Sequence, residues 1–181
     1  MEARERRREE VSSARVITVS DGVSAQTRED ESGRALVRIL KNAGFEVAEP
    51  VVVPDDEQRI AGAIVAAAEH GADVVVTTGG TGLGPRDVTP QATSSVIDFE
   101  VPGLGEAMRR AGAASTPMAA LSRSMAGVRG HTLIINVPGS PRGAAESLEA
   151  VLPALAHAIR LLQKSGGRSG TWKRRSDGAR K

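Results

Sequence analysis

The sequence has no cysteine, and its 181 residues include only three aromatic side chains, Phe45, Phe99 and Trp172. The absence of cysteine excludes disulfides, thiolate metal sites and cysteine nucleophiles. The scarcity of aromatic rings argues against a protein that stacks the bases of single-stranded nucleic acid. No apolar run approaches the roughly 18 residues that span a bilayer, and the charged N-terminus does not resemble a signal peptide. We therefore expect a cytoplasmic protein without a membrane partner.

The basic residues are concentrated at the C-terminal end of the chain. Residues 164–181 hold seven Lys or Arg and a single Asp, which leaves 17 basic and 21 acidic residues elsewhere. This end is rich in Gly and Ser and has no apolar face, and the opposite end, MEARERRREE, balances four Arg against four Glu. We predict a charged extension over residues 1–13, one α/β domain over 14–163, and a basic, disordered tail over 164–181.

Short β-branched runs alternate with helical patterns along the predicted domain. The predicted strands span residues 15–20, 46–53, 72–78 and 132–137. The predicted helices span residues 31–42, 57–70, 89–99, 102–112 and 142–163, the last with a kink or restart at Pro153. Strands that alternate with helices of this length are typical of βαβ units. We expect a three-layer α/β/α sandwich with a mainly parallel sheet.

The densest group of glycines follows the third predicted strand, in the stretch TTGGTGLGPRDVTP from Thr77 to Pro90. This stretch lacks the Lys-Ser/Thr of a P-loop and the last spacing of the dinucleotide-binding fingerprint. Glycine loops outside these templates can bind phosphate through free backbone N–H groups, and a simple tight turn is the alternative. Ligands of parallel sheets bind beyond the carboxyl ends of strands, so the loops at Ser20 and Pro138 are expected to converge on the same edge.

Acidic residues accompany this stretch and the preceding strand. Asp87 comes just before Thr89, the predicted N-cap of a helix, and the pair Asp55-Asp56 follows the second predicted strand. A Mg²⁺ ion can bridge a carboxylate and phosphate oxygens, but a carboxylate at these positions can also cap a helix or interact with its dipole. Arg86 can neutralise a phosphate or pair with an acid. The residues alone leave these alternatives open.

Serine hydrolases and histidine-ligated metal sites are disfavoured by spacing. Ser140, in GSPRG, stands one place too early for the GxSxG nucleophile elbow. The three histidines, His70, His131 and His157, lie far apart, and the sequence contains no HxxxH pair and no acidic loop with metal-ligand spacing. Neither kind of hydrolytic site is therefore expected.

Six segments, in this order and spacing, resemble the molybdopterin adenylyltransferase family, which includes the G domains of gephyrin and its plant counterpart. The segments are SDGVSAQTREDESG, VVPDDEQRI, TTGGTGLGPRDVTP, VPGLGEAMR, LSRSMAGVRGHTLIINVPGSP and LPALAHAIRLL. The likeness covers residues 14–163. It implies a three-layer α/β fold, commonly trimeric, that binds molybdopterin and Mg-ATP. It also implies transfer of AMP to the terminal phosphate of molybdopterin, with release of pyrophosphate.

The resemblance further implies roles for individual residues and for partners. Asp55 and Asp87 match the two key aspartates of the family and are expected to be catalytic and to hold Mg²⁺. The residues expected to bind the nucleotide and the pterin are Ser20, Asp21, Gly79, Gly80, Thr81, Gly82, Ser122, Arg123, Ser124, Pro138, Gly139, Ser140 and Pro141. A molybdate-insertion protein is a candidate partner, and nucleic acid is not favoured as one. The alternative function is a non-catalytic molybdopterin-binding or scaffold protein of the same pathway.

Overall fold

The computed structural model describes residues 11–164, and the predictions for residues 1–10 and 165–181 lie outside this range. The strands of this part are β1 Ser13–Val19, β2 Glu46–Val47, β3 Val51–Val53, β4 Val74–Thr78, β5 Phe99–Glu100, β6 Ala126–Arg129 and β7 Thr132–Val137. Its helices are α1 Asp21–Ser24, α2 Glu31–Asn42, α3 Glu57–Glu69, α4 Thr89–Val96, α5 Pro102–Ala113, a 3₁₀ helix Pro117–Leu121, and α6 Pro141–Lys164. None of these described helices combines the length and apolar character needed to cross a membrane.

The strands form one sheet in the order β2-β1-β4-β7-β6-β5, with β3 also paired to β1. β1 is parallel to β2, β3 and β4, and β4 is parallel to β7. β6 and β5 continue the sheet in antiparallel orientation at the other edge. The mainly parallel sheet is therefore confirmed. The two antiparallel strands were not predicted, because β5 has only two residues and β6, AGVR, has no alternating pattern of its own.

The core consists of two layers, one on each face of the sheet. Successive residues of a strand point to opposite faces, so Val74 and Val76 belong to the cluster with α2, α5 and α6, while Val75 belongs to the cluster with α3 and α4. Helix α2 contributes the buried Leu36 to the first cluster, and α3 contributes the buried Ile60 to the second. Because helices cover both faces, β4 and β7 are buried along their whole length. The three-layer α/β/α sandwich is confirmed.

The predicted strand over residues 46–53 is wrong as a single unit, because it is divided into β2 and β3. Pro50 lies in the gap, and proline has no N–H to donate to a neighbouring strand. Both pieces pair with β1. Ala14 pairs with Val47 and Ile17 pairs with Val51, so an advance of three residues along β1 matches an advance of four along the divided strand. One extra residue is therefore accommodated at the break. Beyond it, β3 leads directly towards Asp55.

Helix α4 differs from its prediction at both ends. It ends at Val96 rather than near residue 99, and Thr89 is its first residue rather than its N-cap. Val88 occupies the N-cap position and makes no side-chain capping bond. Pro90 follows within the first turn, where the missing N–H of proline has no helical partner in any case. The hydroxyl of Thr89 is therefore free for another role, which lies in the glycine-rich stretch.

Helix α6 continues through Pro153, so of the two predicted alternatives the restart is wrong, and the kink stays a prediction. A proline inside a helix removes one backbone hydrogen bond and crowds the preceding turn. The buried Leu148 and Leu155 lie on either side of Pro153 and both belong to the core cluster shared with α2 and α5. Packing of the apolar stripe on both sides of the proline explains why the helix is not interrupted.

Candidate active site

Loops that follow β1, β3, β4 and β7 meet at one edge of the sheet, since these strands run in the same direction. The backbone N–H of Ser20, after β1, donates to the carbonyl oxygen of Val53 at 3.0 Å. The N–H of Gly79, after β4, donates to the carbonyl oxygen of Val137 at 3.2 Å. Each bond joins one loop to the end of a neighbouring strand. The loops therefore converge at the carboxyl edge, as the parallel sheet predicts.

The glycine loop, residues 79–87, is packed closely against its neighbours. Gly79 and Gly80 have φ values of +103° and +64°, which favour glycine. A Cβ atom added to Gly79 would collide with the carbonyl oxygen of Val19 at the end of β1. A Cβ atom added to Gly139 would lie 3.2 Å from the Cα atom of Gly79. The backbones of three loops thus approach each other at distances that leave little room for side chains.

Thr89 holds the start of the glycine loop. Its side chain is fully buried, and its hydroxyl donates to the carbonyl oxygen of Gly79 at 2.8 Å. Its backbone N–H donates to the carbonyl oxygen of Gly80 at 3.1 Å. A buried carbonyl left without a donor costs about 1–3 kcal/mol, so the hydroxyl stabilises this loop conformation. Sequence reasoning assigned Thr89 to helix capping, and its only signal for a site role was its position inside TTGGTGLGPRDVTP.

The neighbouring acids after β3 have separate tasks. Asp56 caps α3, since its carboxylate accepts the N–H of Arg59 at 2.9 Å. Asp55 is paired with Asp21, and the backbone N–H of each donates to the carboxylate of the other, at 2.8 and 3.0 Å. The second carboxylate oxygen of Asp55, Oδ1, lies 3.4 Å from the position of a Cβ atom on Gly80. The capping alternative therefore applies to Asp56, and Asp55 faces the glycine loop.

Asp87 lies against the other half of the glycine loop. Its Oδ2 atom accepts the N–H of Gly84 at 2.8 Å. The same atom lies 2.9 Å from the position of a Cβ atom on Gly82 and 2.8 Å from that on Gly84. A Cβ atom at either position would therefore displace the carboxylate from its present place. Asp87 precedes the first residue of α4 by two positions and is not its cap.

Arg86 pairs with Asp21 across the edge of the sheet. Its Nη2 atom donates to the two carboxylate oxygens at 2.7 and 2.9 Å, and Nε donates at 3.2 Å. This guanidinium is the main reason why the pKa of Asp21 lies below its ordinary value, and the N–H of Asp55 lowers it further. The pKa of Arg86 is raised in turn, chiefly by its hydrogen bond to Asp21. Both side chains are at least half exposed, so water screens the pair and its contribution to stability is modest.

The loop that follows β7 lines two cavities, since Gly139 and Ser140 belong to the walls of both. The first, of about 530 Å³, has mainly apolar walls, and the second, of about 730 Å³, is lined mostly by polar and charged residues. The predicted site residues in the first cavity are Gly80, Thr81, Gly82, Asp87, Ser122, Ser124, Pro138, Gly139 and Ser140. Those in the second are Ser20, Gly139, Ser140 and Pro141.

Four predicted site residues within the described range 11–164 line neither cavity. They are Asp21, Asp55, Gly79 and Arg123. Gly79 lies against the end of β1, and the two aspartates form the pair described above. The guanidinium of Arg123 donates to backbone carbonyl oxygens of the glycine loop. The fold therefore gathers all the predicted residues at one edge but gives only some of them a position in a cavity wall.

The first cavity also has walls that sequence reasoning missed, from α5 and the 3₁₀ helix. Arg109, on α5, lines it and donates to the carbonyl oxygen of Ser124 at 2.7 Å. Leu83, Met118 and Leu121 also line this cavity and remain more than half exposed. The segment VPGLGEAMR at the start of α5 contributed to the family resemblance but did not predict that this helix lines the site. Its place beside the glycine loop depends on the packing of α5 against α6, which no local pattern shows.

Glu146, on α6, places a second carboxylate in the wall of the first cavity. The hydroxyl of Ser115 donates to its Oε1 atom at 2.7 Å, and the Nε atom of Arg142 donates to the same oxygen at 2.8 Å. These two bonds, that from Ser115 first, hold the pKa of Glu146 below its ordinary value. Glu146 is therefore ionised at neutral pH, and its negative charge is partly balanced by Arg142.

Within residues 11–164 no group of three or more His, Cys, Asp or Glu could hold a metal ion by itself. Mg²⁺ usually keeps several waters and is bound by one or two carboxylates together with phosphate oxygens of a substrate. Asp55 and Asp87 lie against two parts of the same glycine loop and offer carboxylate oxygens, the ligands that Mg²⁺ prefers. This arrangement fits an ion that arrives with a phosphate ligand and does not fit a site built by the protein alone.

Comparison with known proteins identifies the family of this chain. The family described as "Probable molybdopterin binding domain" matches residues 15–157. The chain belongs to this family. A protein named molybdopterin adenylyltransferase, from Helicobacter pylori, is 40% identical over 150 residues, which cover 81% of this chain and 85% of that protein. A molybdenum cofactor biosynthesis bifunctional protein from Synechococcus elongatus is 41% identical over 150 residues. The 150 matched residues cover 83% of this chain and 47% of the Synechococcus protein, so the chain spans about half the length of this relative.

Solved structures named for molybdopterin biosynthesis have the same fold. The crystal structure of the molybdopterin biosynthesis enzyme MoaB from Thermus thermophilus matches with a TM-score of 0.80 and 48% sequence identity. The match covers 90% of this chain and 100% of that chain. The family resemblance expected from six sequence segments is thereby confirmed, and so is the fold that it implied.

Proposed function

We propose that this chain is a nucleotidyltransferase of molybdenum cofactor biosynthesis, which uses Mg-ATP to adenylylate molybdopterin and releases pyrophosphate. One observation carries the proposal: two cavities share the loop at Gly139 and Ser140, and the first also contains the glycine loop and Asp87. Two substrates bound in two cavities that share a wall can bring their phosphates together. The relative named molybdopterin adenylyltransferase supports catalysis over the alternative of a non-catalytic binding or scaffold protein.

The reaction requires alignment and charge neutralisation more than covalent participation of the protein. An oxygen of the terminal phosphate of molybdopterin forms a bond to the α-phosphorus of ATP. The bond from this phosphorus to the bridging oxygen of the β-phosphate breaks, and pyrophosphate leaves with that electron pair. A phosphate monoester dianion is already a nucleophile, so no general base is required. The positions of N–H donors and carboxylates around the phosphates therefore decide the rate.

Residues of this chain can supply these elements. Backbone N–H groups of the glycine loop can donate to phosphate oxygens at the wall of the first cavity. The hydroxyls of Ser122 and Ser124 line the same cavity and can also donate. Asp87 and Asp55 are the proposed Mg²⁺ ligands and the proposed catalytic residues. When bound, the ion neutralises charge that develops on the phosphates.

We propose further that Ser20, Asp21 and the loop of residues 138–141 complete the binding site around the shared wall of the two cavities. Residues 14–163 are the proposed catalytic domain, and the basic tail is proposed to be dispensable for turnover. A cytoplasmic homotrimer that passes its product to a molybdate-insertion protein is the proposed assembly. The family resemblance of the sequence supports these assignments. Removal of residues 164–181 is expected to leave turnover unchanged.

The proposal is tested by incubating the purified protein with molybdopterin, ATP and Mg²⁺ and detecting adenylylated molybdopterin by mass spectrometry. Asp87→Ala is expected to abolish product formation while circular dichroism and thermal unfolding show an intact fold. Asp56→Ala is the matched control, since Asp56 is also an acid beside the site but caps α3. Undiminished product formation by the Asp87→Ala variant would contradict the assigned mechanism. Tight binding of molybdopterin without any ATP-dependent product would instead support the non-catalytic alternative.

A further inference from the structure

Arg123 lies between two serines of the first cavity but is directed away from it. Ser122 and Ser124 both line this cavity, and their hydroxyl oxygens are 2.8 Å apart. The backbone of Ser122 is extended, and alternate side chains of an extended segment point to opposite sides. Arg123 is half-buried, and its guanidinium contacts the glycine loop from outside the cavity. Its placement differs from that of a residue that binds a ligand in the cavity.

The hydrogen bonds of Arg123 join two ends of the turn within the glycine loop. Its backbone N–H donates to the carbonyl oxygen of Thr81 at 2.9 Å. In the side chain, Nε donates to the carbonyl oxygen of Gly82 at 2.8 Å, and Nη2 donates to that of Asp87. The planar guanidinium has fixed N–H directions and so keeps the two acceptors in one relative position. A lysine ammonium, with a single compact charge, cannot reproduce this bridge.

The direction of the Asp87 carboxylate depends on the same turn. Its Oδ2 atom accepts the N–H of Gly84 and lies directly over the Cα atoms of Gly82 and Gly84, where any Cβ atom would be within 3.0 Å. A change in the backbone at residue 82 or 87 therefore moves the carboxylate relative to the cavity. The Arg123 side chain donates a hydrogen bond to the backbone carbonyl oxygen of each of these two residues.

We infer that Arg123 is a positioning residue of the active site, which fixes the backbone of the glycine loop and thereby the Asp87 carboxylate. It does so without touching a substrate. This inference rests on the proposed adenylyl transfer as the reaction of the site. Arg129 offers a matched control, because it is also half-buried and its Nη1 atom donates to the carbonyl oxygen of Val96 at 2.8 Å. Arg129 pairs with Thr132 at the start of β7 and so lies at the amino end of the parallel strands, away from the glycine loop.

Hydrogen exchange tests the effect on the loop independently of the reaction. Exchange of the peptide covering residues 79–88 is measured by mass spectrometry on the full chain without ligands, for the wild type, Arg123→Lys, Arg123→Met and Arg129→Lys. Loss of the bridge is expected to speed exchange of this peptide about 30-fold in both Arg123 variants, because the two lost hydrogen bonds contribute about 1 kcal/mol each and a tenfold change corresponds to about 1.4 kcal/mol. The Arg129 variant is expected to match the wild type in this peptide. Unchanged protection in the Arg123 variants, or failure of both to fold, would overturn the inference.

Steady-state kinetics distinguish positioning from substrate contact. Arg123→Lys is expected to lower kcat about 10- to 100-fold, since a displacement of about 1 Å at a site has effects of this size. The KM values for ATP and molybdopterin are expected to stay close to those of the wild type and of Arg129→Lys. A large rise in either KM at unchanged kcat would show that Arg123 contacts that substrate and would overturn the inference. If the wild type transfers no AMP, the proposed function fails, and the exchange experiment still decides whether Arg123 holds the loop.

Discussion

Substitution of Gly79 by alanine is expected to disable the site and to destabilise the fold. Gly79 has a φ of +103°, and the left-handed conformation costs a residue with a side chain about 1–2 kcal/mol. The new Cβ atom would also lie well inside 3.0 Å of the carbonyl oxygen of Val19. The Cβ atom is fixed directly to the backbone and the carbonyl oxygen is part of it, so neither can rotate away as the end of a flexible side chain can. Either the glycine loop or the end of β1 must therefore move.

Gly44 provides the matched control, because it isolates the conformational effect. Its φ is +89°, and nothing lies within 4 Å of the position of its Cβ atom. Gly44→Ala is expected to lower the free energy of unfolding by the conformational term alone, about 1–2 kcal/mol. Gly79→Ala adds the steric conflict, about 1–3 kcal/mol for overpacking of this kind, so its total loss is expected to be about 2–5 kcal/mol.

The effect on turnover follows from the size of the displacement. Relief of the collision requires a shift on the order of 1 Å in a loop that lines the first cavity, and such a shift can reduce a rate about 100-fold. Urea denaturation measures the stability of both variants, and AMP transfer is measured at a temperature at which both are folded. Gly44→Ala is expected to retain full turnover. Equal destabilisation by the two substitutions, with near-normal turnover in Gly79→Ala, would refute the reasoning.

Three further predictions concern other contacts of the site. Thr89→Val is expected to lower the free energy of unfolding by about 1–3 kcal/mol, as measured in urea, because the buried carbonyl of Gly79 loses its donor while the shape is kept; Thr89→Ser should lose less. The folded-state pKa of Asp21 is lowered, so the stabilisation by Arg86 is present above the unfolded-state pKa of about 3.9 and is lost as the pH falls through the folded-state pKa. Arg86→Gln should therefore lower stability more at pH 6 than at pH 2, and a loss that is the same at both pH values would contradict this assignment. Asp56→Ala is expected to cost about 1 kcal/mol of stability with turnover kept, whereas Asp55→Ala is expected to lose turnover; equal turnover in the two variants would count against the division of roles.

The parts of the fold that could be predicted are those with a signal in neighbouring residues. β4 and β7 contain the continuous apolar runs 74–76 and 133–135 because both of their faces are covered, and these runs are visible in the sequence alone. The glycine loop could be located because its glycines follow a buried strand. β5 and β6 have no comparable pattern, since each is too short and exists by pairing with a partner rather than by its own periodicity.

The contacts that organise the site depend on residues that are distant in the chain. Arg86 and Asp21 are 65 positions apart, so the choice of Arg86 between a phosphate and an acid could not be made from sequence. The different roles of Asp55 and Asp56 could not be told from sequence either, because Asp55 is distinguished by its pairing with the distant Asp21. The orientation of Arg123 follows from the path of the backbone after the 3₁₀ helix. Family likeness could place such residues near the site but could not say which of them faces a cavity.

The central claim, adenylyl transfer to molybdopterin, is tested most directly by the release of pyrophosphate. The purified chain is supplied with ATP and Mg²⁺, with and without molybdopterin, and pyrophosphate and adenylylated molybdopterin are quantified together. We predict that pyrophosphate appears only when both substrates are present, and in amounts equal to the adenylylated product. Binding of molybdopterin without ATP-dependent pyrophosphate release would contradict the claim, as would pyrophosphate release that does not depend on molybdopterin.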